Sequence, residues 1–353
     1  MHELTSADIG DLALGATLLG AGGGGDVRVA SLMLQHTIEQ RGPVRIVRAE
    51  DLDPEAYVLP VANMGAPTVF AEKLPTSTEY VAAVTELAHF LRVEPAAVMP
   101  LEVGGHNTLL PFVVAAELGL PVVDADGMRR ALPQLEMTTF GLHGIPAAPL
   151  SVADEHGNAI IIRSADNELT ERLARGTIML MGISNAISCY AMTARQVGAA
   201  AIQGSIAYCC ELGRRWRAVM ESREDAWARF AEYSGAQLLF AGKVVDIDWR
   251  TTDRFARGTV VIEHLVEPDR TMRVEVQNEL LIAIEDGRPL LTPPDLLCAV
   301  DHDHATPVAT HDLAYGERID LFALPAAPEW RRAGYLDLVG PRAFGYDVPY
   351  VPR

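Results

Sequence analysis

Cysteine is nearly absent from this 353-residue chain: Cys189, Cys209, Cys210 and Cys298 are the four, with no C-x-x-C spacing among them. That leaves neither a disulfide framework nor a cysteine-based zinc pattern, and it fits a reduced, cytoplasmic setting. Basic residues are also short, with 29 Lys plus Arg against 47 acids and a formal charge of −18. Such a field repels phosphate backbones, so nucleic acid is not an expected partner; the commoner use of surplus charge is solubility. No apolar run reaches membrane-spanning length, because the stretch around Ile178–Met192 is interrupted by Ser184, Asn185 and Ser188. No membrane partner is expected. The opening residues, Met1-His-Glu-Leu-Thr-Ser-Ala-Asp8, lack the basic and apolar regions of a signal peptide. No Gly-Lys-Ser/Thr marks a Walker-type phosphate loop, and no G-x-S-x-G marks a serine nucleophile elbow.

What is present is a chain with 49% hydrophobic residues, enough for two ordinary cores. Its chemistry concentrates between residues 101 and 140. The run Ala97–Leu101 reads as a strand that ends in Glu102, with Gly104, Gly105, His106 and Asn107 just beyond. The run Leu120–Val123 reads as a second strand, ending in Asp124-Ala-Asp126-Gly127. In open α/β sheets ligands sit outside the carboxyl ends of strands, so acids placed there are candidate general bases. The alternative is that Asp124 and Asp126 cap the segment that follows. A third strand, Tyr57–Val61, leads into Asn63-Met-Gly65-Ala-Pro-Thr68, with Lys73 beyond it.

Upstream, a helical pattern with Ile9, Leu12, Ala13, Ala16 and Leu19 on one face runs into Gly20-Ala-Gly-Gly23-Gly24-Gly25-Asp26. Asp26 stands at the N-cap of a second helix, and a glycine loop before a helix start exposes N–H groups to a polar ligand. The string formally matches the dinucleotide fingerprint, but a helix precedes it instead of a strand, and no nucleotide cofactor is expected. Strands and helices alternate up to about residue 165, which argues for a doubly wound sheet with helices on its faces. After helical segments at Asn167–Gly176 and Ser205–Phe230, short strands from Leu238 onward predict a small antiparallel β domain, a barrel. The expected division is residues 1–165 and 166–353.

These observations yield one candidate site. Glu102, His106, Asp124 and Asp126 are the catalytic candidates, a carboxylate taking a proton from water and His106 protonating a leaving group near neutral pH. Gly23, Gly24, Gly25, Asp26, Asn63, Gly65, Thr68, Lys73, Asn107 and Glu136 are the substrate-binding candidates. A divalent metal held by Glu102, His106, Asp124 and Asp126 is an alternative that the residues leave open. A second cluster, Asp301-His302-Asp303-His304 with His311, has metal-ligand residue types but no zinc spacing, so a polar loop is the simpler reading. Cys209-Cys210 reads as a pair of small buried hydrophobes. Gln277-Asn278-Glu279, polar among apolar strand residues, needs partners, and the domain interface could supply them.

Taken together, Leu18-Leu-Gly-Ala-Gly-Gly-Gly-Gly-Asp26, Asn63-Met-Gly-Ala-Pro-Thr-Val69, Glu102-Val-Gly-Gly-His-Asn107, Pro121-Val-Val-Asp-Ala-Asp126, Gln277-Asn-Glu279 and Gly340-Pro-Arg-Ala-Phe-Gly-Tyr346 resemble the DUF917, or S-methyl thiohydantoin desulfurase-like, family. The resemblance spans nearly the whole chain. It implies a three-layer α/β N-terminal domain and a C-terminal domain containing an antiparallel β barrel. It also implies hydrolysis of a hydantoin-like ring, or an accessory role beside a hydantoinase/oxoprolinase-type protein. The small-molecule substrate is the expected partner, and the composition permits a homo-oligomer. One departure stands out: Arg129 interrupts the Gly-Arg-Ala that usually follows Asp-Gly-Met, here Gly127-Met-Arg-Arg-Ala131.

Overall fold

The computed structural model describes residues 2–73, 75–251 and 256–353, and within them all side chains except those of Pro67, Thr68, Ala71, Arg223, Glu224, Arg250, Thr251 and Ala256. The chain is mixed α/β. Four mostly apolar strands form its parallel centre, in the spatial order Val44–Val47, Val122–Val123, Pro95–Pro100 and Tyr57–Gly65. The sheet continues antiparallel through Ser184–Ser188, Leu150–Ala153 and Ala159–Ile162, with Glu3–Leu4 on the opposite edge and Met192–Thr193 against Tyr57–Gly65. A doubly wound parallel sheet is thus only half of what forms.

Helices cover both faces. Leu110–Leu118 is apolar nearly all round and lies fully buried through Ala115, as such a helix must. Thr78–Leu91 is amphipathic, burying Tyr80, Ala83, Val84, Leu87 and Ala88 at helical spacing. Ile9–Leu19 packs on Ser205–Glu221 at a distance only glycine permits, since a Cβ on Gly213 would lie 1.8 Å from the Asp11 carbonyl oxygen. Cys209 and Cys210 are buried at this contact, the thiol of Cys209 donating to the Leu12 carbonyl at 3.4 Å.

Two sequence expectations shift here. The third strand runs on to Gly65, because its end pairs with Ser184–Ser188, so Asn63 lies inside a strand and not in a loop after one. The segment expected to be one helix from Ser205 to Phe230 is two, Ser205–Glu221 and Arg223–Ser234. Residues 184–193 also complete the first sheet although they follow residue 165.

From Gln237 onward seven antiparallel strands form a second sheet, ordered Arg288–Leu291, Glu279–Glu285, Thr271–Gln277, Ala256–His264, Gln237–Thr251, Arg318–Leu324 and Leu296–Asp301. It curls until Glu279–Glu285 approaches Leu296–Asp301, a half-barrel around Phe240, Val260, Val274, Leu297 and Leu321. Asn278, with φ of 59°, is the whole turn between paired Gln277 and Glu279. That tight turn projects the β domain's polar triplet toward the glycine loop.

Candidate functional site

The glycine loop is the joint between the two halves. Ala21, Gly22, Gly24 and Gly25 have positive φ, and the loop turns its carbonyls outward. Gly24 accepts from the His106 N–H at 2.9 Å, Ala21 from the Leu280 N–H at 2.9 Å, and Gly22 from the Thr310 N–H at 2.9 Å. A Cβ on Gly105 would lie 1.9 Å from the Gly24 oxygen, so the two glycine turns are in backbone contact. The loop therefore acts chiefly as a clasp, and its carbonyls, unlike the N–H groups of an anion nest, do not invite phosphate. Asp26 caps the next helix as expected, accepting from the Arg28 N–H at 2.8 Å.

Beneath the clasp lie two carboxyls from opposite domains. Glu102, at the end of Pro95–Pro100, accepts from the Asn107 amide at 2.7 Å and from the Leu132 N–H at 3.3 Å. Burial pushes it up to about 7, against the pull of those two hydrogen bonds. Glu279 reaches in from the curled sheet, and it fits because residue 23 has no side chain: a Cβ there would lie 2.5 Å from Oε1 of Glu279. Burial pushes Glu279 up to about 8, and its Oε2 has no hydrogen-bond partner. The two carboxyls are within electrostatic reach of one another and of Arg130. Arg130 is fully buried, donating to the carbonyls of Ala131 and Pro294 at 2.9 and 2.5 Å, with Nη2 left unpartnered.

Asn107 and Asn63 extend this group. Asn107 receives the Asn63 N–H at 2.7 Å and returns its own amide to the Asn63 carbonyl at 3.1 Å. The Asn63 side chain exchanges hydrogen bonds with the Ser184 hydroxyl and accepts from Tyr80 at 3.0 Å. His106 stacks on Phe70 with ring centroids 4.2 Å apart, and its buried Nδ1 has no partner. Burial pushes His106 down to about 4, which favours the neutral ring at neutral pH and a hydrogen-bonding role over that of a charged acid.

The other candidates separate from this group. Asp124 accepts from the N–H groups of Ile206 and Ala207 at 2.7 and 3.2 Å, the start of Ser205–Glu221, so the capping alternative describes its contacts. Asp126 is wholly buried and accepts four hydrogen bonds, from the N–H groups of Val103, Met128 and Arg129 and the Ser205 hydroxyl. Three of these donors converge on Oδ2 and the Ser205 hydroxyl takes Oδ1, so Asp126 positions the Glu102 turn through Val103. Lys73 pairs with Glu155 at 3.0 Å and donates to the Ser184 carbonyl at 3.1 Å, beside a cavity of about 10 Å³ that Asn63 and Tyr80 also line. Gly65 forms the strand end, and Thr68 has a side chain outside the described residues. Glu136 lies near Glu171 and Glu168, apart from Glu102. Arg129 turns outward over Tyr208 and donates to the Gln203 carbonyl at 2.5 Å, which leaves Arg130 to face the carboxyls.

Among the described residues no three His, Cys, Asp or Glu side chains come together as a metal site. His302 instead pairs with Asp320 at 2.6 Å and His304 with Asp301 at 2.9 Å. No described helix is long and apolar enough to cross a membrane. A cavity of about 320 Å³ among Trp216, Trp227, Leu238 and Phe322 is mostly apolar and does not include the carboxyls.

The sequence profile of the S-Me-THD-like N-terminal domain matches residues 7–164, and that of the C-terminal domain matches residues 165–353. The chain belongs to the S-Me-THD-like family. A crystal structure of a protein from Chromobacterium violaceum is similar over the whole of both chains, with a TM-score of 0.83 and 25% identity. Among curated proteins none matches the chain. For this S-Me-THD-like chain the capping geometry sets a separable prediction. Asp124→Asn keeps an acceptor at the helix start, so it should lower stability by no more than about 1 kcal/mol and leave ligand turnover within a few-fold. Urea denaturation beside steady-state kinetics checks both; a collapse of turnover with stability unchanged would return Asp124 to the chemistry.

Proposed function

We propose that the chain is a hydrolase of a small hydantoin-like ring, with S-methyl thiohydantoin as the substrate suggested by the family. The observation that carries this reading is the pair of buried carboxyls, Glu102 and Glu279, brought from two domains to one seam beside a buried arginine. Their environments differ in the direction that acid–base chemistry needs. Glu102 has two donors holding its charged form, whereas Glu279 Oε2 has none, so Glu102 ionises first and Glu279 keeps its proton.

In this mechanism Glu102 takes one proton of a water as its oxygen bonds to the ring carbon bearing sulfur, and the C=N electron pair moves to nitrogen. The unpartnered Nη2 of Arg130 supplies a donor for that nitrogen's charge. The pair then returns, the C–S bond breaks, and the departing methanethiolate takes the proton of Glu279. The hydroxylated ring relaxes to hydantoin by moving its remaining hydroxyl proton from oxygen to nitrogen, and the proton on Glu102 passes back to Glu279. His106, neutral and with Nδ1 free, serves as a ring-binding surface and hydrogen-bond partner in place of an acid.

The carboxyls are closed off from solvent, so a ring reaches them only when the seam around the clasp opens. The same closure favours a second reading, a non-catalytic ligand-binding subunit beside a hydantoinase/oxoprolinase-type protein. Incubating purified protein with S-methyl thiohydantoin and hydantoin analogues, with thiol release and ring change as readouts, separates the two. The hydrolase reading expects thiol in step with hydantoin. Thermal stabilisation by the ring without thiol release would move the assignment to the binding subunit.

A further inference from the structure

The helix Asn167–Leu180 buries only one side against the body. Thr170, Glu171, Ala174 and Ile178 face inward, and Asp166 caps the start by accepting from the Leu169 N–H at 2.7 Å. Its other side is apolar as well. Among the described residues fifteen large hydrophobics are exposed, and five of them fall between residues 169 and 183, from Leu169 at 37% to Leu180 at 90%. Soluble proteins seldom leave so dense an apolar patch uncovered. Scattered singly, such residues would need no account; lined up along a helix, they do.

The order along this face identifies what covers it. Leu169, Leu173, Gly176 and Leu180 follow at spacings of four, three and four, which keeps them on one stripe. The spacing reads the same from either end. A two-fold axis between Leu173 and Gly176 therefore sets Leu173 of one copy against Gly176 of another, and Leu169 against Leu180. Gly176 makes the match physical: a Cβ there would meet nothing within 4 Å, so the helix has an open notch at the place where an opposing leucine arrives. Charge supports the same partner. The protein carries −18 overall, but residues 159–183 hold three acids and three arginines, so two copies meet here without adding like charge.

We propose that this face is the two-fold interface of a homodimer, two Asn167–Leu180 helices crossing antiparallel with each Leu173 seated in the other's Gly176 notch. The interface is isologous, as a closed dimer requires, and it lies apart from the carboxyl seam. It ends at Ile183, beside the Ser184 that bonds Asn63, so the second copy braces one wall of the small cavity without entering the seam.

Sedimentation equilibrium of the full chain tests this. The wild type should show twice the chain mass of 38.2 kDa, and the Leu173→Glu/Leu180→Glu double variant should sediment as a monomer with unchanged far-UV circular dichroism. Because all four native cysteines are buried, a Leu173→Cys/Gly176→Cys variant should also give a disulfide-linked dimer on mild oxidation, even if the glutamate variant fails to fold. A wild-type monomer at roughly 100 µM, where an interface of ordinary affinity is saturated, would overturn the proposal. So would an oligomer that persists in the glutamate variant or does not cross-link through the paired cysteines.

Discussion

Replacing Glu102 by Gln should lower kcat/KM for ring hydrolysis by about 10²- to 10⁴-fold, the range for losing a positioned general base. The amide keeps an oxygen for the Asn107 side chain to donate to, so the Asn63–Asn107 ladder and the fold around it survive. What disappears is the basic lone pair. The pH profile gives a second, independent reading. Activity requires Glu102 ionised and so rises as pH passes about 7; it requires Glu279 protonated and so falls as pH passes about 8. The result is a narrow bell whose two limbs belong to the pair as a coupled system. Glu279→Gln, which removes the acid, should erase the alkaline limb and depress the maximum. A variant Glu102→Gln that retains wild-type kcat/KM, or a wild-type profile flat from pH 6 to 9, would remove Glu102 from the base role.

The meeting of Glu102 and Glu279 across the two domains explains which parts of the site were legible in the sequence. Glu102 was, because a β-branched run that stops at an acid and then Gly-Gly marks a strand end in an α/β sheet. Asn107 and Asn63 were too, although Asn63 lies within its strand, because the antiparallel pairing with Ser184–Ser188 involves residues more than a hundred positions away. Asp124 and Asp126 could not be told apart from Glu102 by type or position. Only the structure gives Asp124 a helix start to cap and surrounds Asp126 with four donors. Glu279 left a fainter trace: a polar triplet in an apolar strand says that partners exist, without saying where. Its place beneath the glycine loop depends on the domain docking, and the signal on the other side is an absence, the missing side chain of Gly23. His106 was legible as a residue but not as a charge state, since its neutrality follows from burial against Phe70. The β domain was legible as antiparallel and barrel-like, while the point at which its curl stops, a half-barrel, depends on sheet geometry that no alternation pattern encodes.

Arg130 is where stability and chemistry meet, and its removal should have the largest effect on folding. Arg130→Met keeps most of the side-chain volume but withdraws the only described donors to the Pro294 and Asp295 carbonyls and the cation that faces both carboxyls. Breaking one partner of a buried charged group commonly destabilises by about 3–5 kcal/mol, because the remaining charge stays buried without compensation. Urea denaturation at pH 7 should register a loss of that order. The sign of its pH dependence identifies the cause. Both carboxyls already have folded-state values above their unfolded ones, so the folded state binds more protons and stability falls as pH rises from about 4.5 toward 7 and 8. Without Arg130 the charged forms lose their attracting cation, the folded-state values rise further, and this fall should extend to higher pH. The Arg130→Met deficit should therefore be smaller at pH 5, where Glu102 and Glu279 are protonated in the folded protein, than at pH 8. A deficit equal at both pH values would assign the stabilising role of Arg130 to its carbonyl contacts and separate it from the ionisation of Glu102 and Glu279.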